Sequence, residues 1–223
     1  MRPSETPLMS KREAPPKALV VRDHDALTRG FYESNATTYA EATWKLSMGE
    51  QLSKFAARLA PGAAVIDLGC GAGRDLKALS ERGFFAVGLD VSARLARIAC
   101  LHSDCPVVVA DFRHLPIASE HFDGAWASAS LLHLGRDDIG QALSEIRRIL
   151  KPGGFLFASM KAGRGEQSDE QGRWFSYYEL GEWQSLLEAH GLVSASLHAS
   201  VQGRDSIAHV PTTWINSISR RTQ

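Results

Sequence analysis

The sequence predicts an open, twisted α/β sheet of seven strands, mostly parallel with an antiparallel C-terminal strand, and with helices on both faces. Three observations predict it. Short apolar runs alternate with segments of helical period between residues 64 and 159, the pattern of strands joined by crossover helices. The segment Val65-Ile66-Asp67-Leu68-Gly69-Cys70-Gly71-Ala72-Gly73-Arg74-Asp75 reads as a buried strand that turns on glycines into a helix. At 223 residues, with 44% hydrophobic and 22% charged, the chain has enough apolar material for one full core.

Taken in order, residues 1–28 mix proline, serine and charges without apolar periodicity. They read as a disordered or loosely docked lead-in, leaving residues 29–223 as one domain. Within 31–59, Leu46, Leu52, Phe55, Ala56 and Leu59 share one helical face and Pro61-Gly62 ends it, so a helix precedes the first strand. Strands at 64–68, 85–89 and 107–110 then alternate with helices at 74–82 and 92–101. A strand at 122–127, a helix at 137–150, a turn at Lys151-Pro152-Gly153-Gly154 and a strand at 155–159 continue the series. A polar, glycine-rich loop spans 161–173 ahead of the aromatic cluster Trp174, Phe175, Tyr177 and Tyr178. A helix at 177–190 and β-like runs at 193–201 and 207–218 complete the chain.

Charge and composition narrow the function. Lysine plus arginine and aspartate plus glutamate both total 25, so no global field gathers nucleic acid or anionic lipid. A nucleic-acid partner is therefore disfavoured. Cys70, Cys100 and Cys105 form no CxxC pair, which suits a reducing compartment and predicts neither a structural disulfide nor a metal site. The N-terminal residues lack the apolar core of a signal peptide, and no apolar run reaches membrane-spanning length. The expectation is a cytoplasmic protein, monomer or homodimer, with no membrane partner.

The glycine segment carries the chemistry. A carboxylate, Asp90, ends the next strand in Gly88-Leu89-Asp90-Val91-Ser92, near the spacing of an acceptor for ribose hydroxyls. The alternative reading of Asp90 is a helix cap, a role for which Ser92 competes. A dinucleotide fingerprint needs Gly-x-Gly-x-x-Gly, whereas this chain has Gly-x-Gly-x-Gly. Asp67, two residues before the first glycine, would repel a phosphate and favour a ligand bearing an ammonium and a sulfonium. S-adenosylmethionine fits that charge pattern better than a nicotinamide dinucleotide.

The ordered set Asp67-Leu68-Gly69-Cys70-Gly71-Ala72-Gly73, Asp90, Ala110-Asp111-Phe112, Phe122-Asp123 and Leu150-Lys151-Pro152-Gly153-Gly154 resembles the class I S-adenosylmethionine-dependent methyltransferases, over roughly residues 31–218. That resemblance implies a Rossmann-like fold and S-adenosylmethionine as cofactor, with S-adenosylhomocysteine as product. It also implies that Gly69, Gly71 and Gly73 pass the methionine moiety, Asp67 orients its amino group, Asp90 holds the ribose, and Asp111 with Phe112 holds the adenine. The opening from Phe31 to Tyr39 resembles the small-molecule branch of the family, which makes Tyr39, with Thr43, the candidate for contacting the cofactor. Asp75, Val91 and Ser128 complete the cofactor set.

For the chemical step the candidates are His133 and Tyr39. His133 follows the fourth strand, as a base near the methyl group or as a cap of the next helix. The expected acceptor pocket comprises Tyr32, His133, Lys161, Arg164, Glu166, Trp174 and Tyr177, with the 161–173 loop as a lid; aromatic spacing of this kind also serves helix packing. The leading function is methyl transfer to a small-molecule metabolite or natural product. The alternatives are a tRNA or other nucleic-acid methyltransferase and a non-catalytic member that only binds the cofactor. The segment after strand four, Ala127-Ser128-Ala129-Ser130-Leu131, lacks the Asp/Asn-Pro-Pro-aromatic motif of nucleobase amine methylation.

Overall fold

The computed structural model describes residues 23–204 and 211–223. The lead-in expected up to residue 28 lies, as far as residue 22, outside the described residues. Helix α1 (Asp23–Ser34) crosses the expected boundary, because Thr28 Oγ1 accepts from the Trp174 backbone and Asp25 pairs with Arg113 at 2.8 Å. The single helix expected at 31–59 is three: α1, α2 (Ala36–Thr43) and α3 (Gly49–Ala56). Asn35 bonds its side-chain amide to the Phe31 carbonyl, and Ser47 Oγ accepts from the Gly49 N–H. Such local side-chain bonds compete with continuous helix and mark the breaks.

The central strands are β1 (Ala64–Leu68), β2 (Phe85–Asp90), β3 (Val107–Val109), β4 (Phe122–Ser128) and β5 (Leu150–Lys161). After a small hairpin, β6 (Glu166–Ser168) with β7 (Trp174–Ser176), come β8 (Leu192–Arg204) and β9 (Pro211–Arg221). The main sheet has seven strands in the order β3-β2-β1-β4-β5-β9-β8, with β9 antiparallel to both neighbours and the other pairings parallel. This is the expected fold. Because the sheet is covered on both faces, β1 buries Val65, Ile66 and Leu68 alike, and alternation divides the core into two layers. One layer holds Ile66, Leu68, Ala125 and Leu156; the other holds Val65, Trp126 and Phe157.

Helices α4 (Arg74–Ser80), α5 (Ala93–Ser103), α6 (Ile139–Ile149) and α7 (Leu180–Ala189) flank it. The buried stripe of α6, Ile139, Ala142, Leu143, Ile146 and Ile149, has the helical spacing that the sequence predicts. Three expectations change. Lys151–Gly154 is a bulge inside β5 rather than a turn before it: Phe122 pairs with Leu150 and Gly124 with Phe155, so the intervening residues loop out, with Gly153 at φ +80°. The loop expected at 161–173 carries β6 and the turn of a hairpin whose second strand, β7, follows it. The helix expected from residue 177 starts at Leu180, where Glu179 and Glu182 form a reciprocal capping box. Part of the run expected at 207–218, up to residue 210, lies outside the described residues.

Candidate active site

The chain leaves β1 toward β2 and β3 on one side and returns at β4 on the other, so a crevice opens beyond the carboxyl ends of β1 and β4. In open α/β sheets that switch point is where ligands bind. Two adjoining cavities occupy it, of about 480 and 400 Å³. Both are lined by Tyr32, Tyr39, Gly69, Gly71, Ser128 and His133.

The smaller cavity collects Asp90, Val91, Asp111 and Phe112. Asp90 is buried, and its two carboxylate oxygens accept from the Gly71 N–H at 2.8 Å and the Ser92 N–H at 2.9 Å. Ser92 Oγ accepts from the Leu95 N–H, so Ser92 caps α5 and Asp90 does not. Burial pushes the Asp90 carboxyl up to about 6 against the pull of these backbone donors. Burial also opposes ionisation of Asp111, but the Arg113 guanidinium, at 2.6 Å and 2.9 Å, holds its carboxyl below the ordinary range. Phe112 lies against Gly69, where a Cβ would come within 3.1 Å of its ring and 2.4 Å of Ser130 Cβ.

The larger cavity begins as an acidic well. Asp67 is 2% exposed and its Oδ2 has no hydrogen-bond partner among the described residues. Burial, and then the charge of Asp75, raise its pKa well above the usual value. Asp75 is held by a bidentate Arg74 fork, 2.7 Å on each oxygen, and by the Trp126 indole at 3.0 Å. Thr43 lines the same wall and donates to the Tyr39 carbonyl. Tyr39 packs on the glycine loop: a Cβ at Gly71 would be 3.2 Å from its ring, and burial raises its phenol to about 12.

At the far end the wall is aromatic and cationic. His133 sits in a short 3₁₀ turn, Leu131–His133, with Nε2 bonded to the Tyr32 hydroxyl at 2.8 Å and Nδ1 to the Trp174 carbonyl at 2.7 Å. Burial lowers its pKa to about 4, which leaves the imidazole neutral and weakly basic at neutral pH. Lys161 is buried on the last residue of β5.

Some expected residues are elsewhere. Gly73 lines neither cavity: it begins α4 at φ +84°, and a Cβ there would be 2.8 Å from the Ala99 backbone, so it serves the close packing of α4 on α5. Arg164, its side chain 82% exposed, pairs with Glu179. Exposed Glu166 accepts from the Arg136 N–H and the Ser176 hydroxyl. Trp174 stacks on His24 at 4.4 Å, and Tyr177 accepts from Gln167 and packs on Gly163. The side chains of these four line neither cavity, because the hairpin that carries or adjoins them turns them outward or into its own contacts. In their place the hairpin brings in Arg173 and Phe175, and β9 brings in Trp214 and Asn216.

A sheet in this order, with acids and glycines at its switch point, defines the class I methyltransferase fold. Residues 66–158 match the family model of a methyltransferase domain, and over this core the chain is similar to that class. It is 32% identical over 185 residues to the tRNA (carboxymethyluridine(34)-5-O)-methyltransferase of Arabidopsis thaliana, covering 81% of this chain and 43% of that protein. To the demethylmenaquinone methyltransferase of Corynebacterium kroppenstedtii it is 33% identical over 139 residues, covering 61% and 57%. The chain thus spans about half the length of these relatives. Among solved structures, the 1,6-didemethyltoxoflavin-N1-methyltransferase of Burkholderia thailandensis, with 1,6-didemethyltoxoflavin and S-adenosylhomocysteine bound, has a TM-score of 0.73 at 21% identity over 94% of this chain and 95% of that one.

Proposed function

We propose that this chain is a cytoplasmic enzyme that transfers the methyl group of S-adenosylmethionine to a small-molecule acceptor. The observation that carries the reading is the buried, unpartnered oxygen of Asp67 beside the glycine loop. A buried carboxylate oxygen with no donor is unfavourable by itself and suits a ligand that brings an ammonium. The flanking residues fit the rest of the cofactor. Asp90 retains lone pairs for ribose hydroxyls beyond its two backbone donors, while Val91, Asp111 and Phe112 line the cavity an adenine would fill.

When bound, S-adenosylmethionine supplies an electrophilic methyl group on a sulfonium, with a thioether as leaving group. The residues need only align acceptor and donor and exclude water, since orientation alone removes much of the barrier. Tyr39 and Thr43 close the wall over the glycine loop, and Ser128 stands between the two cavities. His133 acts here as a positioning residue for the Tyr32 hydroxyl rather than as a base, because both ring nitrogens are engaged and its basicity is depressed.

Calorimetric titration with S-adenosylmethionine and S-adenosylhomocysteine, with NADH as control, tests the reading: selective binding of the sulfur ligands is expected, and selective NADH binding defeats it. Affinity should also rise with pH. Because the Asp90 pKa is raised from 3.8 to about 6, the folded protein keeps it protonated below that pH, and its contribution to stability is lost as pH climbs through this window. Ribose hydroxyls and the ammonium prefer ionised acids, so binding of S-adenosylhomocysteine should strengthen from about pH 5 to about pH 7. A flat profile would remove Asp90 from the contact set.

A second reading, methylation of a tRNA, is favoured by the Arabidopsis relative. The balanced charge, 25 basic against 25 acidic residues, weighs against it. Label transfer from the cofactor to total tRNA, and not to a small-molecule fraction, would replace the first reading with this one.

A further inference from the structure

Strand register draws a row of side chains across the sheet, outward from the level of the glycine loop. Ser128 on β4 pairs with Ser159 on β5, and Ser159 with Asn216 on β9, so the three share one face, and all line the larger cavity. Ser128 also lines the smaller cavity, which places it at the junction of the two. Asn216 stands two strand spacings farther out, about 10 Å. It is 2% exposed, and its amide nitrogen has no hydrogen-bond partner among the described residues. Its neighbour in register does not serve it, because the Ser159 hydroxyl oxygen accepts from the Ala129 N–H at 2.8 Å instead. A buried amide with unused N–H groups is unfavourable by itself, and its place on the cavity wall lets a ligand supply the acceptor.

The neighbouring cations set the character of that acceptor. Lys161 and Arg173 line the same cavity but are engaged within the protein: the Lys161 ammonium lies 3.6 Å from the Phe175 ring centroid, and Arg173 pairs with Asp169 at 2.6 Å. An anion entering here would lose its water without gaining an unengaged cation. An uncharged oxygen loses less, and a carbonyl offers two lone pairs to a neutral N–H donor. Trp214, two residues before Asn216 on β9, and Phe175 add apolar surface for the frame that carries it.

We propose that Asn216 is a specificity-determining residue whose amide donates to an uncharged carbonyl oxygen of the acceptor, about 10 Å along the sheet from the junction at Ser128. The inference rests on the methyltransferase reading above and adds what selects and orients the acceptor. With its carbonyl end fixed at Asn216, the length of the acceptor decides which of its atoms reaches the junction.

The test titrates S-adenosylhomocysteine-loaded protein with 1-indanone, indane and indane-1-carboxylate, which share one ring frame. Wild-type protein should bind the ketone more tightly than the carboxylate and at least as tightly as the hydrocarbon, although water by itself favours expelling the hydrocarbon. In Asn216→Leu, which keeps the branched shape and removes the donors, the preference for ketone over indane should fall about fivefold or more, the scale of one hydrogen bond. The ligand-free variant should unfold at the wild-type temperature or above it, since no bond of that amide nitrogen is lost. A midpoint lower by more than about 3 °C, the scale of one lost hydrogen bond in a domain of this size, makes Asn216 a structural residue and overturns the proposal. An unchanged preference in the variant overturns it as well. Tighter binding of carboxylate or indane than of ketone, or no ketone binding at millimolar concentration, overturns it on wild-type protein alone. Failure of S-adenosylhomocysteine to load the protein overturns the methyltransferase reading itself, whereas failure of the ketone on loaded protein overturns this inference alone.

Discussion

Replacing Trp126 with alanine is expected to lower the unfolding free energy by about 3–5 kcal/mol, the range for large aromatic truncations in a packed core. Trp126 is fully buried in the middle of β4, stacked at 3.8 Å on Phe157 of β5 and edge-on to Phe55 of α3 at 5.4 Å. It joins three elements of one core layer, so the vacated volume has little freedom to collapse. Its indole also donates to Asp75, which lines the larger cavity. Trp126→Phe should keep much of the packing and remove only that donor, with a loss of about 1–3 kcal/mol. Urea unfolding of the two variants separates the packing and hydrogen-bond contributions. A loss below about 1 kcal/mol for the alanine variant would mean that the core relaxes around the gap.

The second large effect is expected at Asp90. Asp90→Ala removes the acceptor of the buried Gly71 and Ser92 N–H groups, and so releases the glycine loop as well as the ribose contact. Affinity for S-adenosylhomocysteine should fall about ten- to a hundredfold, the equivalent of about 1–3 kcal/mol for donors left unpaired. Asp90→Asn restores one acceptor but turns an amide N–H₂ toward the other backbone donor, so its recovery should be partial. Calorimetry on folded protein measures both, and unchanged affinity in Asp90→Ala would place the ribose elsewhere.

Where sequence and structure disagree, the cause is contact between distant segments. Gly69, Gly71 and Gly73 read alike along the chain, yet only the first two line the cavities; Gly73 is required by the Ala99 backbone of α5. Of the charged loop at 161–173, Lys161 lines the larger cavity, whereas Arg164 and Glu166 point away from it. Arg173, at the edge of the same loop, carries no signal of spacing that separates it from Arg164. Asn216 and Trp214 were legible only as part of the last strand.

The sequence by itself determined the strand order of events from residue 64 to residue 159, the strand–glycine–helix turn, and the acids at the ends of β1 and β2. Those features are local: apolar period, glycine at φ above zero, and a carboxylate next to a strand end each act within a few residues. Only the tertiary structure decided which side chains meet at the far wall of the cavity. The register of β5 against β9 and the docking of the β6–β7 hairpin bring Lys161, Arg173 and Asn216 together, and each juxtaposition depends on packing between segments that no local pattern connects.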